Sequence, residues 1–320
     1  MARYIVRRIL WGVLMLAIVS AVVFVMFYVF PSADPAELRA GRNASPQQVE
    51  TIRHALGLDK PIYEQYWEYM KGIVLHFDFG YSYQSSADVR TLILDRLPAT
   101  IWLVTGAAIL WLLMGLPVGI ISAIKRRSPL DRATMVTSLA FISAPVFWLG
   151  LVALYLFADG VGKLPIFPGQ GSYITANTIP EKADSMILPW FVLAAASAAI
   201  YARYLRSSMI DVMSEDYIRT ARAKGVPERS VIMRHGVRSA ITPIVTLLGL
   251  DVGVLLAGNA ILTETVFNIP GVGRLVFTSI ERSDLPVIQG VTLFGAFFII
   301  VFNLIVDIAY AYLDPRVRYR

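Results

Sequence analysis

The stretch EDYIRTARAKGVPERS, Glu215–Ser230, decides the fold, because it is a polar, helix-forming segment between two apolar runs. Those runs are approximately Met186–Tyr204 and Ile241–Thr263. Roughly 20 apolar residues are enough for a helix to cross a bilayer. The chain is therefore expected to leave the membrane at this stretch, to build a short polar structure, and to return.

The polar stretch carries the start and stop signals of a short helix. Ser214 is the predicted N-cap. Gly225 can take the left-handed conformation just past the helix end, and Pro227 prevents the helix from continuing. These signals predict one helix over Glu215–Lys224 and a second one from Pro227 to about Ser239.

Composition places the chain among polytopic membrane proteins. Of its 320 residues, 56% are hydrophobic and 16% are charged, whereas a soluble domain carries about 25% charged residues. Its net charge of +6 comes from basic residues at the ends of apolar segments, which argues against nucleic-acid binding. The absence of cysteine excludes disulfides, thiolate metal sites and cysteine nucleophiles.

Six segments are apolar and long enough to be transmembrane helices, which predicts an all-α membrane protein with a single domain over residues 1–320. They are approximately Ile9–Phe30, Thr100–Ile124, Ala133–Phe157, Met186–Tyr204, Ile241–Thr263 and Val287–Leu313. The first segment is longer than the apolar region of a secretory signal, and no small-x-small cleavage site follows it. An uncleaved span is therefore favoured over a cleaved signal.

The distribution of lysine and arginine predicts that both termini are cytoplasmic. With the N-terminus inside, 18 basic residues lie in the cytoplasmic segments and four in the two short external loops. The remaining seven lie in the long external loop over residues 31–98, which the positive-inside rule weights weakly. The Glu215–Ser230 stretch then faces the cytoplasm.

Two external loops are predicted to be ordered. Residues 31–98 form a cap, with a capping box at Ser45–Gln48, a helix stop at Gly57 and a second, aromatic-rich helix from about Pro61. Two interpretations of the cap stay open: it contacts a delivery protein, or it packs against the spans and the lipid headgroups. The segment Val161–Ser185 is rich in Gly, Pro and Ser and is predicted to be an ordered loop or flap.

Helices as short as the one at Glu215–Lys224 are marginal in water, so a docking partner is expected. Its small residues would let another backbone approach closely. The alternative is an amphipathic helix on lipid headgroups, but the apolar face is poor, and a cytoplasmic protein partner is favoured. The predicted contact residues are Glu215, Asp216, Tyr217, Arg219, Thr220, Ala221, Arg222, Lys224 and Gly225.

Ionisable residues inside spans are functional candidates by default. Asp251 lies within the fifth span and is expected to face the bundle interior. Three interpretations stay open for it: contact with a substrate amino group, a pair within the bundle, or a pair with a second subunit. Gly258 and Asn259 extend a small-residue face beside the expected pathway, and Glu264 is expected at its external mouth.

The sequence shows no recognisable catalytic machinery. It has no phosphate-binding G-x-x-x-x-G-K-[ST] loop, no H-E-x-x-H helix and only three scattered histidines. No catalytic, cofactor-binding or metal-binding residue is predicted, so the energy for transport must come from a partner or a gradient. A gradient-driven secondary transporter and a scaffold without a pathway are the alternatives. The first would show charged pairs at mid-membrane and an internal repeat, and the second would not need small-faced helices.

Long motifs resemble the permease subunits of peptide/nickel-type ABC importers, the dipeptide and oligopeptide permease family, first-permease type. These motifs are EDYIRTARAKG at 215–225, RHGVRSAITPIVTLLGL at 234–250, ILTETVFNIPGVGRLVFTSI at 261–280 and IVDIAYAYLDPR at 305–316. The resemblance extends to RRIL at 7–10, LGLDKPIYEQYWEYM at 56–70 and DRLPATIWL at 95–103. It covers nearly the whole chain.

The resemblance implies a type I ABC importer permease in a bacterial-type inner membrane. The coupling loop, residues 209–240, would carry a coupling helix that sits in a groove of an ATP-binding subunit. The implied partners are a second, homologous permease, two ATP-binding subunits that hold ATP and Mg²⁺, and an external solute-binding protein. The implied cargo is a short peptide, with nickel complexes and oligosaccharides as alternatives.

Three features depart from the family pattern. Pro243 lies farther from Gly225 than in the general coupling motif. Arg219 stands where the general coupling motif has an acid, so that acid's usual part cannot be carried over. Phe77, in FDFG, stands where the family tends to have glycine, and the sequence gives no support for a tight turn there.

Overall fold

The chain is helical through most of its length. The structure, a computed structural model, describes residues 2–29, 34–41 and 44–313. In chain order the α-helices are α1 (Ala2–Phe24), α2 (Pro35–Ala40), α3 (Pro46–Ala55), α4 (Ile62–His76), α5 (Val89–Ile124), α6 (Pro129–Ser143), α7 (Val146–Phe157), α8 (Ser172–Thr175), α9 (Ile179–Met213), α10 (Asp216–Ala223), α11 (Glu228–Ser230), α12 (Arg238–Ala240), α13 (Thr242–Val254), α14 (Ile261–Val266), α15 (Val272–Glu281) and α16 (Leu285–Leu313). Three π-helical segments are Val25–Val29, Val231–Val237 and Leu255–Asn259. Within the described ranges, extended pairing is limited to two isolated bridges.

Among the residues that the structure describes, five helices are long and apolar enough to cross a membrane. They are Ile5–Val29, Val89–Ile124, Ile179–Met213, Thr242–Asn259 and Leu285–Ile308. The pair formed by α6 and α7 also qualifies, but it is bent by 101°. The six crossings predicted from hydropathy thus correspond to five helices and one broken pair.

The predicted single helix over Ala133–Phe157 is wrong, because a proline interrupts it. Pro145 lacks an N–H and disfavours helical geometry in the residue before it. Ala144 accordingly has φ −81° and ψ 127°, and α6 ends there. The chain re-enters a helix, α7, at Val146.

The fourth predicted span is also too short at both ends. Helix α9 begins at Ile179, because Thr178 and Glu181 form a capping box. The predicted loop over Val161–Ser185 therefore ends at Thr178 and includes the short helix α8. At the other end α9 continues to Met213, and the Ser214 hydroxyl donates to the Asp211 carbonyl at 2.7 Å. Ser214 is thus the C-cap of α9 and not the N-cap of the next helix.

The cap over residues 31–98 contains the two predicted helices and one that was not predicted, α2. The Ser45 hydroxyl accepts the Gln48 N–H, and the Gln48 side chain accepts the Ser45 N–H at 2.8 Å. Gly57, with φ +67°, follows the end of α3 as expected. The cap also includes the first turns of α5, which begins at Val89 rather than Thr100.

Helix α4 divides its aromatic residues between two faces. The hydroxyls of Tyr66 and of Ser20 on α1 lie 2.9 Å apart, and the rings of Phe24 and Tyr66 meet edge to face. Tyr63 and Trp67 are 71% and 70% exposed on the other face. Packing against a span accounts for one face, and the other face is open to a partner or to lipid.

The chain forms two compact units, and the single domain over 1–320 stays a prediction. The first contains residues 1–100, 253–261 and 270–304, and the second contains residues 101–252, 262–269 and 305–320. The core of the first is an aliphatic cluster of Val89, Ile93, Val272, Leu275, Val287 and Val291.

In the second unit, α5 lies close against α9. A Cβ on Gly115 would lie 2.7 Å from the Ala198 carbonyl oxygen, and a Cβ on Gly119 equally close to that of Ala202. Real Cβ atoms do not approach carbonyl oxygens so closely, so only glycine permits this packing.

Candidate functional site

Helix α10 lies where the sequence predicts the contact helix, and its end is a rigid turn. The Gly225 N–H donates to the Arg222 carbonyl at 2.9 Å, and the Val226 N–H donates to the Ala221 carbonyl at 3.2 Å. These two bonds form a Schellman motif. Gly225 supplies the required left-handed residue, with φ +76°. Its α-carbon faces open space, so the need for glycine there is conformational rather than steric.

One residue that sequence reasoning passed over anchors α10. Ile218 is fully buried, and α10 packs against the π-helical segment Val231–Val237. Tyr217 and Arg219 on either side of it are exposed. The weak apolar face of this helix is therefore used within the chain. Ile218, the single strongly apolar residue of α10, was the only feature of the sequence that could have indicated this packing.

The small residues of α10 and its turn remain available to a partner. Thr220, Ala223 and Gly225 are exposed, and Ala221 is half-buried. Exposed polar residues surround them: Glu215, Asp216, Arg219, Arg222 and Lys224. This surface, residues 215–225, combines low side-chain bulk with a ring of charge.

An ion pair braces the turn that follows α10. The Arg222 guanidinium contacts the Glu228 carboxylate at 2.7 and 3.1 Å. The pair lowers the pKa of Glu228 and raises the pKa of Arg222. Arg219 makes only a 3.4 Å contact with Asp216, and both side chains are largely exposed. The side chain of Arg219, which stands where the family motif has an acid, therefore faces outward.

The candidate pathway residues lie on three different elements. On α13, Asp251 is half-buried, and its Oδ2 accepts the Tyr201 hydroxyl of α9 at 2.8 Å. Three interpretations were open for Asp251. This hydrogen bond realises one of them, a pair within the chain, and it uses one of the two carboxylate oxygens. Tyr201, a fully buried residue, was not singled out from the sequence.

The fifth predicted span ends earlier than expected. Gly258 has φ +101°, which breaks the helix, and Asn259 beside it is exposed. Glu264 then lies in a separate helix, α14, and is fully buried. Its expected place at the external mouth of a pathway stays a prediction.

Comparison with known proteins decides the family. Residues 115–319 match the family described as "Binding-protein-dependent transport system inner membrane component", and residues 1–104 match its N-terminal counterpart. The chain belongs to this family of permeases. The glutathione transport system permease protein GsiC of Escherichia coli strain K12 is 41% identical to the permease over 320 residues, which is 100% of each chain. The protein of the same name from Shigella dysenteriae serotype 1 has the same identity and coverage.

The permease is accordingly a multi-pass inner-membrane subunit of an ABC importer of the peptide/nickel type, as the motifs implied. Its family is one of membrane permeases. Such a subunit works with an ATPase and a binding protein. Its site therefore consists of surfaces that contact other proteins or cargo.

Proposed function

We propose that this permease pairs with a second, homologous permease to form a pathway for short peptides. An external solute-binding protein delivers the peptide, and two ATP-binding subunits drive transport, one of them through α10. The observation that carries this proposal is the anchored α10, with its rigid turn and its exposed small-residue surface. Both termini lie in the cytoplasm, on the same side as α10.

The anchoring of α10 supports a mechanical role. A helix of eight residues is too short to be stable alone in water. The buried Ile218, the Schellman turn and the Arg222–Glu228 pair hold it against its own chain. A displacement of its exposed surface therefore moves the segments to which it is joined.

The ATP-binding partner subunits supply the energy for transport. The sequence contains no phosphate-binding loop of the G-x-x-x-x-G-K-[ST] type. ATP and Mg²⁺ are therefore bound by the ATP-binding subunits, and this chain contributes no cofactor site.

The proposed cargo is a short peptide. The motifs point to peptide permeases, and GsiC is named for the transport of glutathione, which is itself a small peptide. Asp251, Gly258, Asn259 and Glu264 remain the pathway candidates. A half-buried carboxylate in a span needs a polar surrounding, which a pathway or a second subunit supplies.

A substitution on the exposed surface tests the docking role. Ala223→Glu keeps a good helix former and adds bulk and charge, whereas Ala223→Ser keeps the small size and is the matched control. The measurement is ATP-driven uptake of a labelled dipeptide, and of glutathione, by the full complex in proteoliposomes. We expect Ala223→Glu to lower uptake at least about tenfold, the effect of 1.4 kcal/mol at the interface. Normal uptake by an assembled Ala223→Glu complex would contradict the proposal.

Crosslinking identifies the partner directly. The chain has no natural cysteine, so Ala223→Cys introduces a single thiol on α10. We expect it to crosslink to an ATP-binding subunit, whereas Tyr63→Cys on α4 does not. Uptake by the permease alone, driven by an ion gradient, would instead favour a secondary transporter.

A further inference from the structure

One buried carboxylate connects three helices of the second unit. Asp131 on α6 accepts two hydrogen bonds from Arg206 on α9, from Nε at 2.7 Å and Nη2 at 2.8 Å. It also accepts the Ser122 hydroxyl of α5 and the Arg127 N–H of the α5–α6 loop at 2.8 Å. The side chain of Asp131 is 5% exposed and that of Arg206 is 23% exposed. Bidentate arginine–carboxylate contacts fix geometry as well as charge.

Two of the helices joined by this carboxylate, α5 and α9, also approach each other closely at small residues. Gly115 and Gly119 on α5 lie against Ala198 and Ala202 on α9 with the same 2.7 Å approach. The two contacts are one helical turn apart on each helix. Farther along the same two helices, Trp190 Nε1 donates to the Trp102 carbonyl at 2.9 Å and the Trp111 and Tyr201 rings lie 5.7 Å apart, so these contacts also hold α5 in register with α9. The polar cluster of Asp131, Arg206 and Ser122, called the clamp below, provides a directional contact.

The clamp lies close along the chain to α10. Arg206 is seven residues before the end of α9 at Met213, and only Ser214 and Glu215 separate α9 from α10. An open pocket of about 320 Å³ is lined by the end of α5, by the end of α9 and by Arg222 and Glu228. Helix α9 thus carries the clamp residue Arg206 and continues, through two residues, into α10.

We propose that Asp131 and Arg206 are positioning residues for coupling: the clamp locks α5, α6 and α9 in one register, so that a displacement of α10 moves them as a single lever. This inference rests on the proposed function. It assigns to the pair a part in transmitting motion, beyond its contribution to stability.

The test measures peptide uptake per ATP hydrolysed in the complete reconstituted complex. Asp131→Asn weakens the charge-assisted bonds, and Arg206→Lys keeps the charge but loses the bidentate geometry. We expect ATP hydrolysis within about twofold of wild type and uptake per ATP about tenfold lower. Lys60→Gln, which breaks the exposed Lys60–Glu68 pair of 2.6 Å, is the control and should leave the ratio unchanged.

A covalent replacement separates coupling from folding. The double variant Asp131→Cys/Arg206→Cys is treated with a short bismaleimide, which is selective because the chain has no other thiol. We expect the untreated complex to be uncoupled and the crosslinked complex to regain most of the wild-type ratio. An assembled complex whose ratio is that of wild type with and without the crosslink would overturn the proposal.

If the proposed function itself is wrong, the uptake experiment gives a different result. In that case the wild-type complex would show no ATP-driven uptake at all. Hydrogen exchange then tests the clamp separately: trapping the ATP-bound state should change exchange in α5, α6 and α9 of the wild type together, and in Asp131→Asn only in α9. The same pattern in both proteins would contradict the clamp.

Discussion

At the scale of single residues, the end of α4 depends on backbone conformation. Phe77 ends α4 in the left-handed region, with φ 53°, although no turn was predicted there from its side chain. An L-residue with a Cβ in that region costs about 1–2 kcal/mol relative to its usual conformation, whereas glycine does not. Glycine, which the family resemblance implies at this position, would avoid that cost, whereas this chain carries phenylalanine.

We expect Phe77→Gly to stabilise the end of α4 relative to Phe77→Ala by about 1 kcal/mol. Both variants remove the same exposed ring, so the difference isolates the backbone. Amide hydrogen exchange in the last turn of α4 should be about fivefold slower in the glycine variant. Equal exchange rates in the two variants would show that residue 77 relaxes out of the left-handed region at no cost.

At the scale of helices, caps and breaks determine where each helix begins and ends. The capping box at α3 was predicted because its serine, proline and glutamine stand in an obviously polar loop. The equivalent box at Thr178–Glu181 was missed because the span was delimited by apolar residues alone. Pro145 was likewise read as part of an apolar run.

We expect Thr178→Ala to destabilise the first turn of α9 by about 1 kcal/mol, because the Glu181 N–H loses its acceptor. Thr178→Ser restores the hydroxyl and is the control. Hydrogen exchange at residues 179–182 should be faster in the alanine variant only. Equal protection in both variants would mean that packing alone sets the start of α9.

The brace beside α10 should depend on pH. Arg222 lowers the pKa of Glu228 below its ordinary value of 4.5, so the carboxylate stabilises the turn above that value. This contribution is lost as pH falls through the lowered pKa of the folded state. Because both side chains are substantially exposed, the effect is small.

We expect α10 amides to exchange about twofold faster in Glu228→Gln than in wild type near neutral pH. The ratio of the two rates should approach one below the lowered pKa, where wild-type Glu228 is also neutral. Arg229→Gln, in the same short helix, is the control and should not change this pH profile. A ratio independent of pH would exclude the ion pair as its cause.

At the scale of the whole molecule, membrane orientation follows from charge. The basic residues predict that α10 faces the cytoplasm and α4 the outside. In this cysteine-free chain we expect a membrane-impermeant maleimide to label Tyr63→Cys in intact spheroplasts and Ala223→Cys only in inverted vesicles. The opposite pattern would reverse the predicted topology.

Hydropathy was sufficient to locate five of the six predicted spans as long apolar helices, and glycine, proline and capping residues for the ends of α3 and α10. It could not identify Ile218 as an anchor, because the segment it packs against, Val231–Val237, follows later in the chain. Nor could it pair Asp131 with Arg206 or Tyr201 with Asp251, since each pair joins distant helices. The π-helical segments left no periodic signal.

The 101° bend between α6 and α7 has a cost that the isolated polypeptide cannot avoid. A helix end leaves its last carbonyl groups without partners along the helix, and Pro145 brings no N–H to satisfy them. Phe141, Phe147 and Trp148 beside the bend are exposed, so hydrocarbon would reach it in a lone chain. The lifetime of newly inserted chains should therefore depend on the amount of the subunit that covers this bend. Chains without that subunit should be degraded by membrane proteases.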